Sequence, residues 1–256
     1  MHRRLITITI TTAAILLSGC GGKKAADSPA AAPAASAVSA PAASTSSAPA
    51  DNGVAALTAD QILERAKTAL KAANAFHVKG SVVDKGQRTT MDFKTRAGAL
   101  LGSLAIGKAK IELLTVAGKQ YMRPNEAFWA TSLDRTKAHT MAKLMGDKWA
   151  KIPDKNQDFT NLFSAASIDE LLKPGGKLTK GQTKEVDGVP AIGLVENSSD
   201  GGTLWVATTG EAYPLRLQPK NPSEGGIAFS EFGATFPEIK APPEAQVIDF
   251  ETLTRS

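Results

Sequence analysis

The sequence predicts an α+β fold in which one curved antiparallel sheet of about eleven short strands is wrapped around a few helices. Apolar and polar residues alternate along many short segments between residues 75 and 230, as half-buried strands do. Many of these segments meet at glycine-containing turns such as Asp84-Lys85-Gly86 and Asp187-Gly188, and short turns of this kind join antiparallel strands. Helical periodicity appears in only three segments, too few to cover both faces of so large a sheet.

The first predicted helix begins after Thr58 and ends near Asn74. Thr58 and Gln61 have the spacing of a capping box, in which each side chain bonds the backbone N–H of the other residue. Apolar residues then recur with helical spacing, at Ile62, Ala66, Leu70 and Ala73. We therefore expect an amphipathic helix that lies on one face of the sheet.

The segment that follows has the two-residue period of strands. "FHVKGSVVD" and "RTTMDFKTR" form the first predicted hairpin. A second predicted helix spans residues 133–145, and Gly146 is placed to end it. The further strands predicted in this half are "LLGSLAIG", "AKIELLTVAG", "KQYMR", "EAFWATS" and "DKWAKIP".

The third predicted helical region spans residues 158–172. Ser167 and Glu170 form a second capping box within it, and Pro174-Gly175-Gly176 ends it. From Lys177 the chain returns to strand patterning, in the meander order expected of an antiparallel sheet. The predicted strands are "KLTKGQTKEV", "VPAIGLVEN", "TLWVATT", "AYPLRLQ" and "GIAFSEF".

The N-terminus has the three parts of a secretory signal, followed by the only cysteine of the chain. Arg3 and Arg4 precede an apolar core at residues 5–17, which is shorter than the roughly 20 residues that a membrane-spanning helix needs. Leu17-Ser18-Gly19-Cys20 resembles the bacterial lipobox. We expect residues 1–19 to be a signal peptide and Cys20 to be lipidated, which would anchor the protein to the outer side of the cell membrane.

Residues 20–53 are predicted to be a disordered tether, because Ala, Ser, Pro, Thr and Gly dominate them and large apolar side chains are scarce. Residues 54–256 are predicted to form one domain. Removal of the signal would leave 28 basic and 25 acidic residues, a net charge of +3 against +5 for the full chain. These charges are spread along the sequence and form no basic stripe, so nucleic acid is not an expected partner.

Motifs typical of enzymes are missing from the sequence. His77 and His139 stand outside any two-histidine zinc motif, and no serine occupies a nucleophile elbow. Residues 102–109, "GSLAIGKA", match a phosphate-binding loop except at Ala109, where Ser or Thr would hold magnesium. We interpret this segment as a strand and a turn. A glycosidase-type pair of carboxylates stays open at this stage.

The sequence resembles the LolA-like lipoproteins of actinobacteria, similar to the LppX/LprG group of glycolipid-binding lipoproteins. The resemblance covers residues 58–250 and is most specific over 186–233. It rests on "VDGVPAIGL", "GGTLWVATTGEAYPLRLQ", "GGIAFSEFG" and "APPEAQVIDF", together with "GKQYMR", "AFW" and "DKWAKIP". It implies a half-barrel of antiparallel strands bent over helices, a hydrophobic cavity that accepts acyl chains, and neither enzymatic activity nor a cofactor.

Two sets of side chains are candidates for lining such a cavity, and they could equally form a filled core. Strand alternation predicts one inward-facing set: Val78, Val82, Met91, Phe93, Ile111, Leu113, Leu215, Leu217, Ile227 and Phe229. The second set, expected at the mouth, consists of aromatic residues with a polar end: Tyr121, Trp129, Trp149 and Trp205.

The leading hypothesis for function is therefore a monomeric, membrane-anchored protein that shields the acyl chains of a lipid or glycolipid during transfer or presentation at the cell envelope. An envelope transporter is a candidate partner. The alternative is a structural or sensory surface lipoprotein whose filled half-barrel serves as a protein-interaction module. A connected apolar cavity of roughly 300 Å³ or more would favour the first hypothesis. An enzyme of unknown type is a third hypothesis, which clustered carboxylates in an apolar cleft would favour.

Overall fold

The computed structural model describes residues 50–84, 86–153, 159–164, 167–198 and 201–254. These residues all belong to one compact unit that spans residues 47–256. The predicted signal peptide, Cys20 and the predicted tether as far as residue 49 lie outside the described residues, so they stay predictions.

The described residues form six α-helices and twelve strands. The helices are α1 (Ala59–Ala73), α2 (Glu126–Trp129), α3 (Arg135–Met145), α4 (Thr160–Ser164), α5 (Ile168–Leu171) and α6 (Phe250–Thr254). The strands are β1 (Ala75–Asp84), β2 (Gln87–Arg96), β3 (Ala99–Ile106), β4 (Ala109–Val116), β5 (Lys119–Pro124), β6 (Trp149–Ile152), β7 (Leu178–Val186), β8 (Val189–Glu196), β9 (Gly202–Ala207), β10 (Pro214–Pro219), β11 (Gly226–Ser230) and β12 (Val247–Asp249).

All twelve strands belong to one curved sheet that does not close on itself. The strand order is β12-β6-β5-β4-β3-β2-β1-β11-β10-β9-β8-β7. Strands β1 to β6 form one meander and β7 to β11 form another, and the antiparallel pair β1–β11 joins the two. The α+β half-barrel predicted from the sequence is thereby confirmed, although the single predicted meander is divided in two.

Two further predictions about the sheet were wrong. β12 pairs with β6 in parallel, so the sheet is mixed and not purely antiparallel. The segment "EAFWATS" forms the short helix α2, because the Asn125 side chain accepts a hydrogen bond from Phe128 N (2.9 Å) and caps a helical turn. Asn125 is also bonded to the backbone of Lys108 and Lys110, which fixes α2 against the turn between β3 and β4.

The face of the sheet covered by α1 and α3, which we call the inner face, carries two apolar clusters. The first, the α1 core, packs beneath α1 and includes Ile62, Leu70, Phe76, Val78, Leu194, Leu204, Val206, Ile227 and Phe229. The second, the α3 core, includes Phe93, Leu100, Ile111, Leu113, Met122, Trp129, Met145, Phe163 and Leu253. Met91 packs against both clusters and lies where they meet.

The opposite face, which we call the outer face, is also partly buried. Residues 231–241 cross it, and Phe236 and Ile239 from this segment pack against the sheet. Their partners on the sheet are Ala75, Leu114, Tyr121 and Trp149. Apolar side chains therefore occur on both faces of β4 and β5, which weakens the alternation visible in the sequence.

The chain enters the fold at Ala50, four residues before the predicted start of the domain. Gly210 N donates a hydrogen bond to the Ala50 carbonyl (3.0 Å), and Asn52 N donates to the Thr208 carbonyl (3.0 Å). Asp51 forms an isolated bridge with Thr209. These contacts attach the N-terminal segment to the connection between β9 and β10.

Candidate ligand cavity

A cavity of about 520 Å³ lies on the inner face, between the sheet, the C-terminal end of α1, and helices α4 and α5. Its volume falls within the range of roughly 300 to 1,000 Å³ that is usual for small-molecule sites. The described residues that line it are Leu70, Lys71, Asn74, Phe76, Thr95, Ala97, Gly98, Ala99, Leu100, Thr115, Gln120, Phe163, Ser164, Ser167 and Ile168.

The floor of the cavity is one row of side chains that crosses five neighbouring strands. The residues of this row are direct cross-strand partners, so they point to the same face. The row consists of Phe76 on β1, Thr95 on β2, Leu100 on β3, Thr115 on β4 and Gln120 on β5. It is apolar beneath α1 and becomes polar toward β5.

The roof comes from the three helices. Leu70 is fully buried on α1, and Phe163 and Ile168 bring apolar surface from α4 and α5. Lys71 Nζ lies 3.5 Å from Asp169 Oδ1, which links the end of α1 to α5 across the surface. Both side chains of this pair are more than half exposed, so it adds little stability.

The next row of the inner face closes the cavity on its deep side. This row contains four fully buried side chains, those of Val78, Phe93, Leu113 and Met122. They are neighbours across the strands, with Gly102 of β3 between Phe93 and Leu113. The cavity therefore occupies one end of the half-barrel and does not extend through it. It separates Leu70 and Phe76 of the α1 core from Leu100 and Phe163 of the α3 core.

Ten of the predicted cavity residues lie in these packed cores. Those in or against the α1 core are Val78, Val82, Met91, Leu217, Ile227 and Phe229. Those in the α3 core are Phe93, Ile111, Leu113 and Trp129. None of these ten is among the residues that line the cavity. Their inward orientation agrees with the strand alternation. They are core residues and do not form the wall of this cavity.

Three other predicted residues, Tyr121, Trp205 and Leu215, lie on the outer face, as does the mouth candidate Trp149. Tyr121 is paired with Leu114, whereas its neighbour Met122 points inward. Leu215 is the extra residue of a β-bulge, because the pairing of β10 with β9 shifts between Pro214 and Arg216. The bulge turns Leu215 outward while Leu217 stays inward.

The tryptophans therefore do not form the mouth that the sequence predicted. Trp205 lies under Lys184, whose Nζ is 4.0 Å from the ring centroid, and donates its Nε1–H to Gln218 Oε1 (3.2 Å). Trp149 stacks beneath the Arg123 guanidinium at 4.6 Å. Trp129 Nε1 is buried in the α3 core and has no hydrogen-bond partner among the described residues. Each indole serves packing on its own face of the sheet.

Sequence reasoning missed the whole floor row as a cavity wall. The alternation itself places Thr95, Leu100 and Thr115 on one face, but it does not show which inward rows the helices cover. The useful signal was the pair of short turns at residues 97–98 and 117–118, which ends the strands beside the row. One row further in, large side chains fill the space between sheet and helices. Above the floor row, the side chains of the described residues leave the space unfilled.

The cavity is suited to binding and offers little for catalysis. Lys71 is the one ionisable side chain among its described lining residues; the other polar lining groups are hydroxyls and amides, apart from the backbone. His77 lies on the outer face between Asp92 and Glu231, and His139 is exposed beside Glu126. Among the described residues, no group of three or more His, Cys, Asp or Glu side chains is arranged to hold a metal ion.

Two further cavities lie on the outer face. One, of about 340 Å³, is lined by charges that pair with each other, including Lys94 with Glu238 (2.7 Å) and Arg123 with Glu112 (2.6 Å). The other, of about 500 Å³, is a trough above Gly80 and Gly226. Neither of these two lies between sheet and helices, and a pocket that does, between Leu63, Leu172 and Leu217, measures only about 70 Å³. The inner cavity is therefore the candidate site.

Comparison with known proteins gave structural likenesses only. No family model matches the chain, and no curated protein sequence matches it. The crystal structure of LprF from Mycobacterium bovis is similar with a TM-score of 0.43 and 15% identity, over 72% of this chain and 97% of that one. An uncharacterized conserved protein from Thermus thermophilus is similar with a TM-score of 0.37 and 13% identity, over 75% and 98%.

Proposed function

We propose that this protein binds an acyl chain of a lipid or glycolipid in the inner cavity and shields it from water at the outer side of a membrane. The observation that carries the proposal is the cavity itself, about 520 Å³ between sheet and helices with Leu70, Phe76, Leu100, Phe163 and Ile168 in its wall. The proposed function is binding followed by transfer or presentation, and it requires no catalysis.

Burial of apolar surface supplies the affinity in this proposal. Each methylene group removed from water contributes about 0.8 kcal/mol. The apolar part of the chain would lie against Phe76 and Leu100, with the polar headgroup near Lys71 and the hydroxyl and amide groups of the rim.

Entry and release would require movement of the roof. Helices α4 and α5 are short, with five and four residues, and α5 is linked to α1 through the exposed Lys71–Asp169 pair. Breaking this exposed ion pair costs only about 0 to 1 kcal/mol, and the larger part of the cost is the exposure of Phe163 and Ile168, which pack against the two cores. The sheet beneath is held by continuous strand pairing and would remain fixed.

The proposed location rests on Cys20 and the lipobox-like sequence before it. Lipidation there would fix the chain to the membrane through a tether of about 30 residues, with a root-mean-square span of about 30 Å if it is a random coil. No described helix is long and apolar enough to span a membrane. A protein held in this way would collect or deliver lipid close to its own membrane, and an envelope transporter is the partner we propose for that exchange.

The filled row at Val78, Phe93 and Leu113 favours a second candidate function. A half-barrel packed over most of its interior is also suited to serve as a rigid protein-interaction module. The two candidates differ in what the inner cavity holds.

A fatty-acid binding experiment tests the proposal. The chain from Gly21 to Ser256, which lacks the predicted signal and the cysteine but keeps every described residue, is titrated with cis-parinaric acid, whose fluorescence rises in apolar surroundings. We expect saturable binding by this chain. Thr115→Trp should abolish it, because the new indole would project from the cavity floor into the cavity.

Thr90→Trp is the matched control. It makes the same substitution on β2 of the same sheet, but Thr90 lies on the outer face beside the trough. Binding by the control should equal that of the unsubstituted chain. Equal binding by both variants, or no saturable binding by the unsubstituted chain, would refute the acyl-chain proposal and leave the interaction module.

A further inference from the structure

Two neighbouring β-turns border the cavity at one end of the half-barrel, which we call the cavity end. Residues 96–99 connect β2 to β3, and residues 116–119 connect β4 to β5. Leu100 and Thr115, the floor residues that follow and precede these turns, are direct partners, so the turns lie side by side. Ala97, Gly98 and Ala99 belong to both the first turn and the cavity wall.

Both turns present alanine where a polar residue is usual. Ala97 and Ala117 have positive φ angles of 51° and 50°, and each is followed by a glycine with positive φ. Asn, Asp or Gly is preferred at the first of these two positions, and the turn between β7 and β8 has Asp187 there. The tips beside the cavity are therefore small, apolar and exposed, in spite of a backbone conformation that disfavours alanine.

Basic side chains surround these tips. Arg96 precedes the first tip, Lys119 follows the second, and both are exposed. Lys71 lies at the cavity rim and is more than half exposed. The acidic Asp169 at this rim is paired with Lys71. Exposed apolar tips among cations are suited to a surface with anionic headgroups above hydrocarbon.

The N-terminal segment joins the fold at the same end. His77 near the start of β1 pairs with Ser230 at the end of β11, and Arg216 near the start of β10 pairs with Ala228. The β9–β10 connection, which holds Ala50 and Asn52, therefore lies at the cavity end of the sheet. The acidic Asp51 and Glu211 also lie at this end, at the β9–β10 connection. A chain anchored at Cys20 would reach the membrane from this end.

We propose that the cavity end, through the turns 96–99 and 116–119, docks on an anionic lipid surface so that the cavity mouth faces the membrane. This rests on the proposed membrane anchor and on the proposed acyl-chain site. Docking in this orientation would let an acyl chain pass between bilayer and cavity without crossing water. The occupant is a lipid bilayer, attracted by Arg96 and Lys119 and contacted by Ala97 and Ala117.

A fluorescent label tests the orientation. In the chain from Gly21 to Ser256, Ala117→Cys provides a single thiol for a nitrobenzoxadiazole probe, which shifts to the blue and brightens in lipid. Lys108→Cys provides the matched site, because residue 108 is an exposed turn residue at the opposite end of the sheet. With vesicles of phosphatidylcholine and one third phosphatidylglycerol, we expect the change at residue 117 and none at residue 108.

The label at residue 108 also tests whether the opposite end of the sheet docks on the membrane. Ile106, one of the large apolar side chains that remain exposed (41%), lies beside residue 108. A change at 108 that equals or exceeds the change at 117, or no change at either site, would overturn the proposal.

A charge substitution provides the second measurement. Gly107-Lys108 and Gly118-Lys119 are the same dipeptide in turns at opposite ends of the sheet. Lys119→Gln should weaken binding of the unlabelled chain to the same vesicles about fivefold, and Lys108→Gln should leave it unchanged. Equal effects of the two substitutions would count against docking by the cavity end.

These results separate the two proposals. A chain that binds cis-parinaric acid in solution but leaves residue 117 in water on vesicles refutes the docking proposal alone. A chain that docks at residue 117 but binds no fatty acid refutes the acyl-chain proposal alone.

Discussion

His77 joins three segments on the outer face through two carboxylates. Its Nε2 lies 2.7 Å from Asp92 Oδ1 on β2, and its Nδ1 lies 2.8 Å from Glu231 Oε2, in the segment that follows β11. Lys79 Nζ lies 3.0 Å from the second oxygen of Asp92. This cluster fixes the start of the segment that covers the outer face, so its charge state affects how firmly that segment is held.

Asp92 gives the cluster a predicted acid dependence. Partial burial raises the pKa of the Asp92 carboxyl, but the hydrogen bonds and charges of His77 and Lys79 outweigh it and hold the pKa below its ordinary value of 3.8. A carboxylate with a lowered pKa stabilises the fold above its unfolded-state value, and this contribution is lost as the pH falls through the folded-state value. Asp92→Asn should therefore lower the free energy of unfolding by about 1 kcal/mol or less at about pH 5.

Thermal unfolding of both proteins between about pH 5 and pH 2 is the measurement. The difference between the wild type and Asp92→Asn should shrink as the pH falls below the ordinary value of 3.8. A difference that stays constant over the whole range would show that the charge of Asp92 is not its cause.

Single residues also limit what the sequence could predict. Alternation correctly placed Phe93, Leu113 and Ile227 on the inner face, because uninterrupted pairing maintains the two-residue period. It failed at Leu215, where one bulged residue reverses the facing of the side chain. Tyr121 was expected at the mouth because it is aromatic with a polar end, but the segment with Phe236 covers it on the outer face of β5.

Among the helices, α1 shows which local signals determine an element. The capping box predicted at Thr58 and Gln61 is present: Gln61 N donates to Thr58 Oγ1 (3.4 Å), and Thr58 N donates to Gln61 Oε1 (3.0 Å). The helix buries Ile62, Ala66 and Leu70 as its spacing predicted. α2 was missed because its four residues are too few to show a period, although Asn125 carried a capping signal.

Thr58→Ala should destabilise the protein by about 1 kcal/mol, because it removes the acceptor for Gln61 N at the start of α1. Thr68→Ala is the matched control on the same helix. Thr68 Oγ1 bonds the Glu64 carbonyl within the helix, and alanine has the higher helix propensity, so this substitution should leave stability equal or slightly higher. Urea unfolding of both variants measures the difference. Equal losses would mean that the cap contributes nothing specific.

Across the whole molecule, the inner face is divided into two cores with the cavity between them at one end. Neither the count of helices nor the strand pattern predicts this division, because it depends on where α4 and α5 lie over the sheet. Phe163 from α4 belongs to the α3 core and also lines the cavity, whereas Phe93 belongs to the same core and is fully buried away from it. Substitutions at these two phenylalanines can therefore distinguish an effect on stability alone from an effect on ligand binding.

Phe163→Ala and Phe93→Ala should each destabilise the free protein, by about 3 to 5 kcal/mol for a ring removed from a packed core. The space opened by Phe163→Ala adjoins the cavity, so a bound acyl chain can fill it, and each additional buried methylene would return about 0.8 kcal/mol. Saturating oleic acid should therefore raise the unfolding temperature of Phe163→Ala more than that of the wild type. It should raise the unfolding temperature of Phe93→Ala no more than that of the wild type, because Phe93 lies one row further in and is not among the residues that line the cavity. If Phe163→Ala does not fold, Phe163→Leu and Phe93→Leu give the same comparison, and equal rescue of the two sites would place the ligand outside the inner cavity.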